Sequence, residues 1–280
     1  MAVIAVDSAG KGFAMDGSGT APPPDVVDTT TPSVARMYDY FLGGKDNYAC
    51  DRAAAEQVRQ ALPTVEGVAR ANRAFLQRAV RFVAGTGIDQ FLDLGTGLPT
   101  QGNVHEVARA VRPGARVAYV DNDPLVAAHA RALLDADDRT AVVQADLREP
   151  GMVLEDEQVR RLIDFSRPVC VLFVAVLHFF PDEGNPAGIV RRFTDALPAG
   201  SHVVLSHAAV EERRNVNVGE TYRSQSANAA LVARTREEVA GLLDGLTILE
   251  PGVVPLHEWR PVGGEYVTGA GWTAVARKEA

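Results

Sequence analysis

The sequence predicts an α/β fold built on a doubly wound, mostly parallel β-sheet. From residue 90 onward, short apolar runs alternate with segments of helical periodicity, the pattern typical of such sheets. The connections between the runs are long enough for the right-handed crossovers that join parallel strands. Acidic residues stand at or near the ends of the first three runs. Because ligands of these sheets bind beyond the carboxyl ends of the strands, we expect the functional site there.

Five apolar runs of the central region are the expected strands. They cover residues 90–95, 116–121, 141–146, 168–177 and 201–208. The first crossover is predicted to be helical because apolar residues in 104–111 follow the spacing i, i+3, i+4, i+7. Asn103 and Glu106 resemble a capping box at the start of that helix.

The composition narrows the class of protein. With 280 residues, of which 46% are hydrophobic, the chain can bury one substantial core. A net charge of −8 argues against a nucleic-acid partner, since binding phosphates needs a basic face. No apolar run approaches the roughly 20 residues that span a bilayer, and the first residues do not resemble a secretory signal. We therefore expect a cytoplasmic protein with no membrane and no nucleic-acid partner.

Cysteine and histidine usage gives no indication of a metal or disulfide. Cys50 and Cys170 are far apart, and Cys170 lies in an apolar run, so a buried thiol is the expected state. His202 and His207 are five residues apart, without an HExxH pattern or a nearby cysteine cluster. The sequence therefore predicts no metal site.

The chain divides into three predicted parts. Residues 1–30 are rich in glycine, proline and small polar residues, which predicts a disordered tail. Residues 31–85 are expected to form an N-terminal helical lid segment, and residues 86–280 the ligand-binding domain. A helix is expected to start near Ser33 and to end at Gly43-Gly44.

The strand-end acids and the loop after the first strand indicate a nucleoside ligand with a cationic group. Gly95 and Gly97 allow a tight turn, but the third glycine of a dinucleotide fingerprint would fall at 100, which is Thr. Asp93 would repel a pyrophosphate and would stabilise a cation, such as the ammonium or sulfonium of S-adenosylmethionine. Asp121 can accept hydrogen bonds from a ribose, in NAD as well as in S-adenosylmethionine. Asp146 can accept one from the amine of adenine.

Several segments resemble a known family. The segments "FLDLGTGLPTQGNVHEVA", "VAYVDNDPLVAAHARALL", "QADLREP" and "VAVLHFFPDE" look like the motifs of class I S-adenosylmethionine-dependent methyltransferases. With "ARMYDYFLGGKDNYACDRAAAEQV" and "ARANRAFLQRAVRF", the chain resembles an actinobacterial S-adenosyl methyltransferase family, formerly DUF574. The resemblance covers residues 30–280. It implies a Rossmann-like seven-stranded sheet with helices on both faces, whose last strand, 271–278, is antiparallel.

The resemblance also implies roles for individual residues toward S-adenosylmethionine. The residues expected to bind the cofactor are Asp93, Gly95, Thr96 and Gly97 for the methionine part, Asp121 and Asn122 for the ribose, and Asp146 and Leu147 for the adenine. Ala175 would form the wall beside the methionine, and Asn72 or Arg73 could reach its carboxylate. Asp123 is the acid that competes with Asp121 for the ribose role, and it is expected instead to be the N-cap of a helix that starts at Pro124.

Candidates for catalysis and substrate binding are fewer. His178, near the end of the fourth strand, is the candidate general base, with a packed residue having one satisfied nitrogen as the alternative. Tyr38 is a second catalytic candidate. Arg36, Tyr40 and Tyr48 belong to an aromatic and charged segment that is expected to contact the acceptor. Tyr222 and Arg223, after the fifth strand, are further substrate candidates.

The predicted function is methyl transfer from S-adenosylmethionine to a small molecule by in-line displacement. The main alternative is a protein of the same fold that binds the cofactor or S-adenosylhomocysteine without transferring methyl. An NAD-dependent oxidoreductase is a third possibility. The sequence leaves open a homo-oligomeric state and the identity of the acceptor.

Overall fold

A computed structural model describes residues 28–99, 102–134, 138–209, 231–263 and 271–280 of the chain. Most of the expected tail, 1–27, lies outside the described residues, and so do the substrate candidates Tyr222 and Arg223. The description of side chains also excludes residues 132–134.

A single mixed sheet forms the centre of the molecule, in the strand order β3-β2-β1-β4-β5-β8-β6. Its strands are β1 (Gln90–Leu94), β2 (Arg116–Asp121), β3 (Thr140–Gln144), β4 (Cys170–Val174), β5 (His202–Ala208), β6 (Thr247–Ile248), β7 (Val254–Pro255) and β8 (Gly271–Arg277). Strands β1 to β5 pair in parallel, and β8 runs antiparallel to β5. The predicted fold class and the antiparallel last strand are confirmed. The described sheet has eight strands instead of seven because the two-residue β7 also pairs with β8.

Helices cover both faces of this sheet. They are α1 (Val34–Phe41), α2 (Ala49–Ala61), α3 (Val65–Gly85), α4 (Val104–Val111), α5 (Pro124–Leu134), α6 (Pro150–Glu155), α7 (Glu157–Leu162), α8 (Pro186–Asp195) and α9 (Arg236–Gly241). On one face Leu92 packs in a cluster with α6 to α9, and on the other Phe91 packs with α3, α4 and α5. Successive strand residues point to opposite faces, so both faces of a fully apolar strand such as β4 are buried. The expected capping box of Asn103 and Glu106 is present at the start of α4.

Strands β3 and β4 end earlier than their apolar runs. The run 168–177 ends as a strand at Val174 because Ala175 adopts a φ of +56°, which a sheet cannot accommodate. A 3₁₀ turn, Leu177–Phe179, follows. Strand β3 ends at Gln144, so Asp146 lies two residues beyond the strand that was expected to end with it. Both shifts place more of the loop backbone at the carboxyl edge of the sheet.

The N-terminal helices form a small cluster of their own. Met37 and Phe41 of α1 pack against α2 and against Val65 and Ala69 at the start of α3. The rest of α3 packs on the sheet, for example through Phe75. Helix α3 therefore connects the N-terminal helices to the sheet and carries α1 over its carboxyl edge.

Two buried acids order the segment around α1. Asp51, which is fully buried, accepts from Arg36 Nε at 2.7 Å and from the Ser33 amide at 2.9 Å. Asp39 is also buried and organises the turn after α1, where a Cβ at Gly44 would lie 1.9 Å from its Oδ1. Gly44 is therefore required by close packing, and α1 ends at Phe41, just before the expected Gly-Gly stop.

Candidate active site

One large cavity opens at the carboxyl ends of the parallel strands. Its volume is about 1030 Å³. Its described wall includes the ends of β1, β2 and β3, the turns after β4 and β5, the first turns of α1 and the inner side of α3. The sheet thus places the strand-end acids and the N-terminal helix around one space.

Asp93 lies at the floor of this cavity, near the end of β1. Its side chain is buried, and Oδ2 accepts a hydrogen bond from Thr96 Oγ1 at 3.3 Å. Burial raises the pKa of Asp93 to about 7, although the positive charge of Arg73 opposes this shift. A cation bound beside Asp93 would favour its ionised form.

Gly95 and Gly97 form the turn that follows β1. Gly95 has a φ of +72°, and a Cβ there would lie 2.3 Å from Cγ2 of Val176. Gly97 has a φ of +64°, with no atom within 4 Å of the position of a Cβ. Both residues need the left-handed conformation, and at Gly95 the packing also leaves no space for a side chain.

Asp121 closes β2 and holds the glycine turn. Its Oδ2 accepts from the Gly97 amide at 2.9 Å, and its Oδ1 accepts from the Asp123 amide at 3.0 Å. Asp123 caps α5, as expected, because its Oδ1 accepts from the Leu125 amide at 2.9 Å. Its Oδ2 accepts from Ser33 Oγ at 2.9 Å, a contact that ties the start of α1 to the end of β2. Burial raises the pKa of Asp121.

Asp146 is engaged by its neighbour Arg148. The guanidinium Nε donates to Oδ1 at 3.0 Å and to Oδ2 at 2.8 Å, and the Arg148 amide donates to Oδ1 at 2.9 Å. These hydrogen bonds lower the pKa of Asp146. Leu147 beside it is buried in the wall. The sequence did not suggest that Arg148 would occupy this carboxylate.

Arg73 extends from α3 into the cavity wall near Asp93. Its Nε is buried and has no hydrogen-bond partner among the described residues. A buried guanidinium nitrogen without a partner is costly, so an anionic group of a ligand would stabilise it. Its position fits the candidate role of Arg73 toward a carboxylate.

A chain of buried hydrogen bonds connects α1 to the turn after β4. Tyr38 Oη accepts from Asn72 Nδ2 at 2.9 Å, and Asn72 Oδ1 accepts from Ser206 Oγ at 2.6 Å. The Ala175 amide in turn donates to Ser206 Oγ at 2.9 Å. The candidate residues Tyr38 and Ala175 are therefore linked through Asn72 and Ser206. Ser206 was missed, although it is an isolated polar residue in the apolar run "HVVLSHA".

His178 lies in the wall beyond β4 and is buried. Its Nδ1 accepts from the Ala208 amide at 3.3 Å, so one ring nitrogen is satisfied. Burial, and to a smaller extent the neighbouring His207 and Arg234, lowers the pKa of His178 well below its ordinary value. The ring is neutral at pH 7, and because Nδ1 is the acceptor, the proton of the neutral ring is on Nε2.

Arg36, Tyr40 and Tyr48, the residues near α1 that were expected to contact the substrate, all have partners within the N-terminal helices. Arg36 reaches the wall, but it is buried in the ion pair with Asp51. Tyr40 and Tyr48 are not part of the described cavity wall: Tyr40 donates to Glu56 at 2.7 Å, and the Tyr48 ring lies 5.2 Å from the Arg36 guanidinium. These contacts hold the two tyrosines within the N-terminal helices, and their role toward the substrate stays a prediction. Tyr40 follows Tyr38 by two residues, about 200° around the helix, and therefore faces α2.

The described residues show neither a metal cluster nor a membrane-spanning helix. Among them, no group of three or more His, Cys, Asp or Glu side chains is arranged to hold a metal ion. None of the helices in the described ranges combines the length and apolarity needed to cross a bilayer.

A family model described as S-adenosyl methyltransferase matches residues 20–279. No curated protein matches the chain. A crystal structure from Thermobifida fusca YX, of a protein provisionally named a methyltransferase, is 40% identical with a TM-score of 0.86 and covers 93% of this chain and 100% of its own. A DUF574 family protein from Streptomyces avermitilis MA-4680 is 38% identical with a TM-score of 0.86, covering 90% of this chain and 100% of its own.

More distant structures show the fold alone. Human N-acetylserotonin methyltransferase in complex with S-adenosylmethionine is 14% identical, with a TM-score of 0.50 over 87% of this chain and 70% of its own. The strand order, the cavity at the carboxyl edge and the family match agree. The chain therefore belongs to the S-adenosyl methyltransferase family, it has a class I methyltransferase fold, and its cofactor is S-adenosylmethionine.

Proposed function

We propose that this protein transfers the methyl group of S-adenosylmethionine to a small molecule inside the cavity at the carboxyl edge of the sheet. The observation that carries the proposal is that one cavity of about 1030 Å³ extends from the acids of β1 to β3 to the turns after β4 and β5. Ligand pockets commonly measure about 300–1,000 Å³, so this space can hold a nucleoside cofactor and an acceptor together.

The methionine part of the cofactor fits the end of β1. Arg73 Nε, which has no partner in the described part of the chain, would receive its carboxylate, and buried Asp93 would receive its ammonium. The glycine turn would approach it closely, since the position of a Cβ at Gly97 is open space. An anion beside a guanidinium and a cation beside a carboxylate would satisfy both buried groups at once.

The nucleoside part would lie along β2 and β3. Asp121 uses one lone pair of each oxygen for backbone amides and retains others for the ribose hydroxyls, next to Asn122. Adenine would meet Asp146 and the buried Leu147. Because Arg148 holds both oxygens of Asp146, we expect Arg148 to share or release this carboxylate when adenine binds.

The bound cofactor supplies a methyl carbon attached to a positively charged sulfur. An acceptor atom held in line with this carbon would bond to it as the carbon–sulfur bond breaks, the electrons of that bond would stay on sulfur as a neutral thioether, and a proton carried by the acceptor atom would leave to water after transfer. The contribution of the protein is alignment and exclusion of water, and alignment alone can supply several kcal/mol. His178 does not fit a general base, since its Nδ1 is engaged by an amide and its pKa is low.

We further propose that α1, as part of the segment 31–85, acts as a lid over the site. It is attached on both sides of the cofactor region, by Ser33 Oγ to Asp123 and by Tyr38 Oη to Asn72. The double variant Ser33→Ala, Tyr38→Phe removes both attachments but keeps the apolar packing of α1. Weaker binding of S-adenosylhomocysteine by this variant would support the lid, and unchanged binding in a folded protein would exclude it.

Calorimetric titration with S-adenosylmethionine, S-adenosylhomocysteine and NAD tests the ligand assignment. We expect binding of the first two and none of NAD, and tight binding of NAD alone would refute it. To separate an enzyme from a cofactor-binding protein, methyl-labelled cofactor is incubated with metabolite extracts and with wild-type or Asp121→Asn protein. Labelled product that depends on Asp121 establishes transfer. Tight cofactor binding without product in any extract favours the binding protein.

A further inference from the structure

The order of the strands divides the cavity into two halves. Strands β3, β2 and β1 lie on one side, and their ends carry Asp146, Asp121 and Asp93. Strands β4 and β5 lie on the other side, where the wall is formed by the turns after them and by α1. Because these acids fit a nucleoside, the cofactor would occupy their half of the cavity, and the β4–β5 half would remain for the methyl acceptor.

Apolar side chains form most of the β4–β5 half. Phe179, from the turn after β4, and Leu231 both pack against the cluster that contains Phe41 of α1 and Val65 of α3. All four residues also line the cavity, and so does Phe180. The acceptor half is therefore one continuous apolar surface made by elements from three regions of the chain.

The ionisable groups that β4, β5 and their following turns present to the cavity are two neutral histidines, within the described ranges. Burial lowers the pKa of His207 to about 4 and that of His178 well below its ordinary value. Both nitrogens of His207 are engaged, Nδ1 with the Ala208 carbonyl at 2.9 Å and Nε2 with Arg234 at 2.8 Å. Arg36 of α1 also reaches the wall, but it is paired with Asp51. Among the described residues of this half, a charged acceptor would thus lose its hydration without gaining an opposite charge.

The polar groups nearest this surface are mostly used within the protein. Tyr38 Oη donates to the Ala69 carbonyl at 3.1 Å and accepts from Asn72, and Ser206 is bound to Asn72. His178 differs, because its Nδ1 accepts from the Ala208 amide and its Nε2–H has no partner among the described residues. Within the described part of the site, this N–H is therefore a hydrogen-bond donor available to a ligand in a mostly apolar wall.

We propose that the methyl acceptor is an uncharged, predominantly apolar molecule that carries a hydrogen-bond-accepting oxygen or nitrogen, and that the Nε2–H of His178 recognises this atom. The proposal rests on the proposed function, because it assigns the nucleoside half to S-adenosylmethionine. It gives His178 a role in substrate recognition as a donor, in place of proton abstraction.

Four naphthalene probes of similar shape test the charge preference in protein saturated with S-adenosylhomocysteine. They are 2-acetylnaphthalene, with a neutral carbonyl; 2-ethylnaphthalene, without an acceptor atom; 2-naphthoate, an anion; and 2-(aminomethyl)naphthalene, a cation at pH 7. We expect the neutral ketone to bind at least about tenfold more tightly than either charged probe. Tighter binding of the anion or the cation, or no binding of the neutral probes, would overturn the proposal.

Variants of His178 test the donor. Loss of one neutral hydrogen bond predicts that His178→Phe binds 2-acetylnaphthalene about 3- to 10-fold more weakly and 2-ethylnaphthalene unchanged. His178→Gln, whose amide can both accept and donate, is expected to recover most of the ketone affinity. His129→Phe on α5 is the matched control, since His129 is not part of the described cavity wall. Equal losses for the ketone and the hydrocarbon would refute the donor role.

The failure of this proposal is distinguishable from that of the proposed function. If S-adenosylhomocysteine does not bind to the wild-type protein, the function itself is wrong. If it binds and the probes show a preference for charge, the cofactor assignment stands and the acceptor class is wrong. The probe series in wild-type protein gives this answer even if a His178 variant does not fold.

Discussion

Replacing Arg73 with Met should separate recognition of the amino-acid part of the cofactor from recognition of the nucleoside. Met keeps the length and much of the apolar volume of Arg but removes the buried Nε that has no partner among the described residues. A hydrogen bond to a charged group contributes about 1.5–3 kcal/mol, so the dissociation constant of S-adenosylhomocysteine should rise about 10- to 150-fold.

The design of the assay follows from the surroundings of Arg73. Its charge lowers the pKa of Asp93, so the variant should hold Asp93 protonated at a higher pH, and calorimetry at pH 8 reduces this second effect. The reference ligand is 5′-methylthioadenosine, which has the nucleoside but no amino acid, and its affinity should not change. Arg70→Met is the control on the same helix, because Arg70 is 61% exposed and does not line the cavity.

Two results would refute this reasoning. Unchanged affinity of Arg73→Met for S-adenosylhomocysteine would show that the carboxylate lies elsewhere. An equal loss for both ligands would show that Arg73 supports the whole pocket and does not read the amino acid.

The remaining predictions concern the glycine turn, pH and the α1 region. Gly95→Ala would place a Cβ 2.3 Å from Val176 at a φ of +72°, and it should reduce S-adenosylhomocysteine binding at least about tenfold by calorimetry. Because the pKa of Asp93 is raised to about 7, the affinity for the ligand should fall as the pH decreases from 8 to 5. The contribution of Asp93 to the stability of the ligand-free protein should instead decrease as the pH rises through 4–7, because the folded state retains a proton that the unfolded state has lost. Titrations and urea unfolding across this range check both signs. Asp51→Ala leaves Arg36 buried without its partner and should lower the free energy of unfolding by about 3–5 kcal/mol in urea; a change below about 1 kcal/mol would contradict a buried ion pair here.

The sheet was largely predictable because its signals are local. Apolar runs, crossover lengths and helix caps are read within a few residues, and Asn103, Glu106 and Asp123 act as their positions indicated. The strand ends were less predictable. The end of β4 depends on the positive φ of Ala175, which is held by Ser206, and no local pattern of the run 168–177 indicates it.

The α1 segment shows what local reasoning left open. Its density of aromatic and charged residues suggested contacts with the substrate, but Arg36 serves an ion pair with Asp51, 15 residues later. The two sides of α1 meet different helices: Tyr38 contacts Ala69 of α3, and Tyr40 contacts Glu56 of α2. The composition of a segment does not say which of its sides is buried against which element.

The sequence by itself determined the order of the elements, the three acids at or near the ends of β1 to β3 and, through its motifs, the family and the cofactor. These features depend on residues that are neighbours in the chain. The tertiary structure decided that Arg73 Nε is buried without a partner among the described residues and that Arg148 holds Asp146. It also decided the hydrogen-bond chain from Tyr38 through Asn72 to Ser206, in which Asn72 and Ser206 are 134 positions apart, and the engagement of His178 Nδ1 by the Ala208 amide. Such contacts depend on how distant segments of the chain pack. The sequence pattern allows several partners for each of these side chains, and packing decides which partner is used.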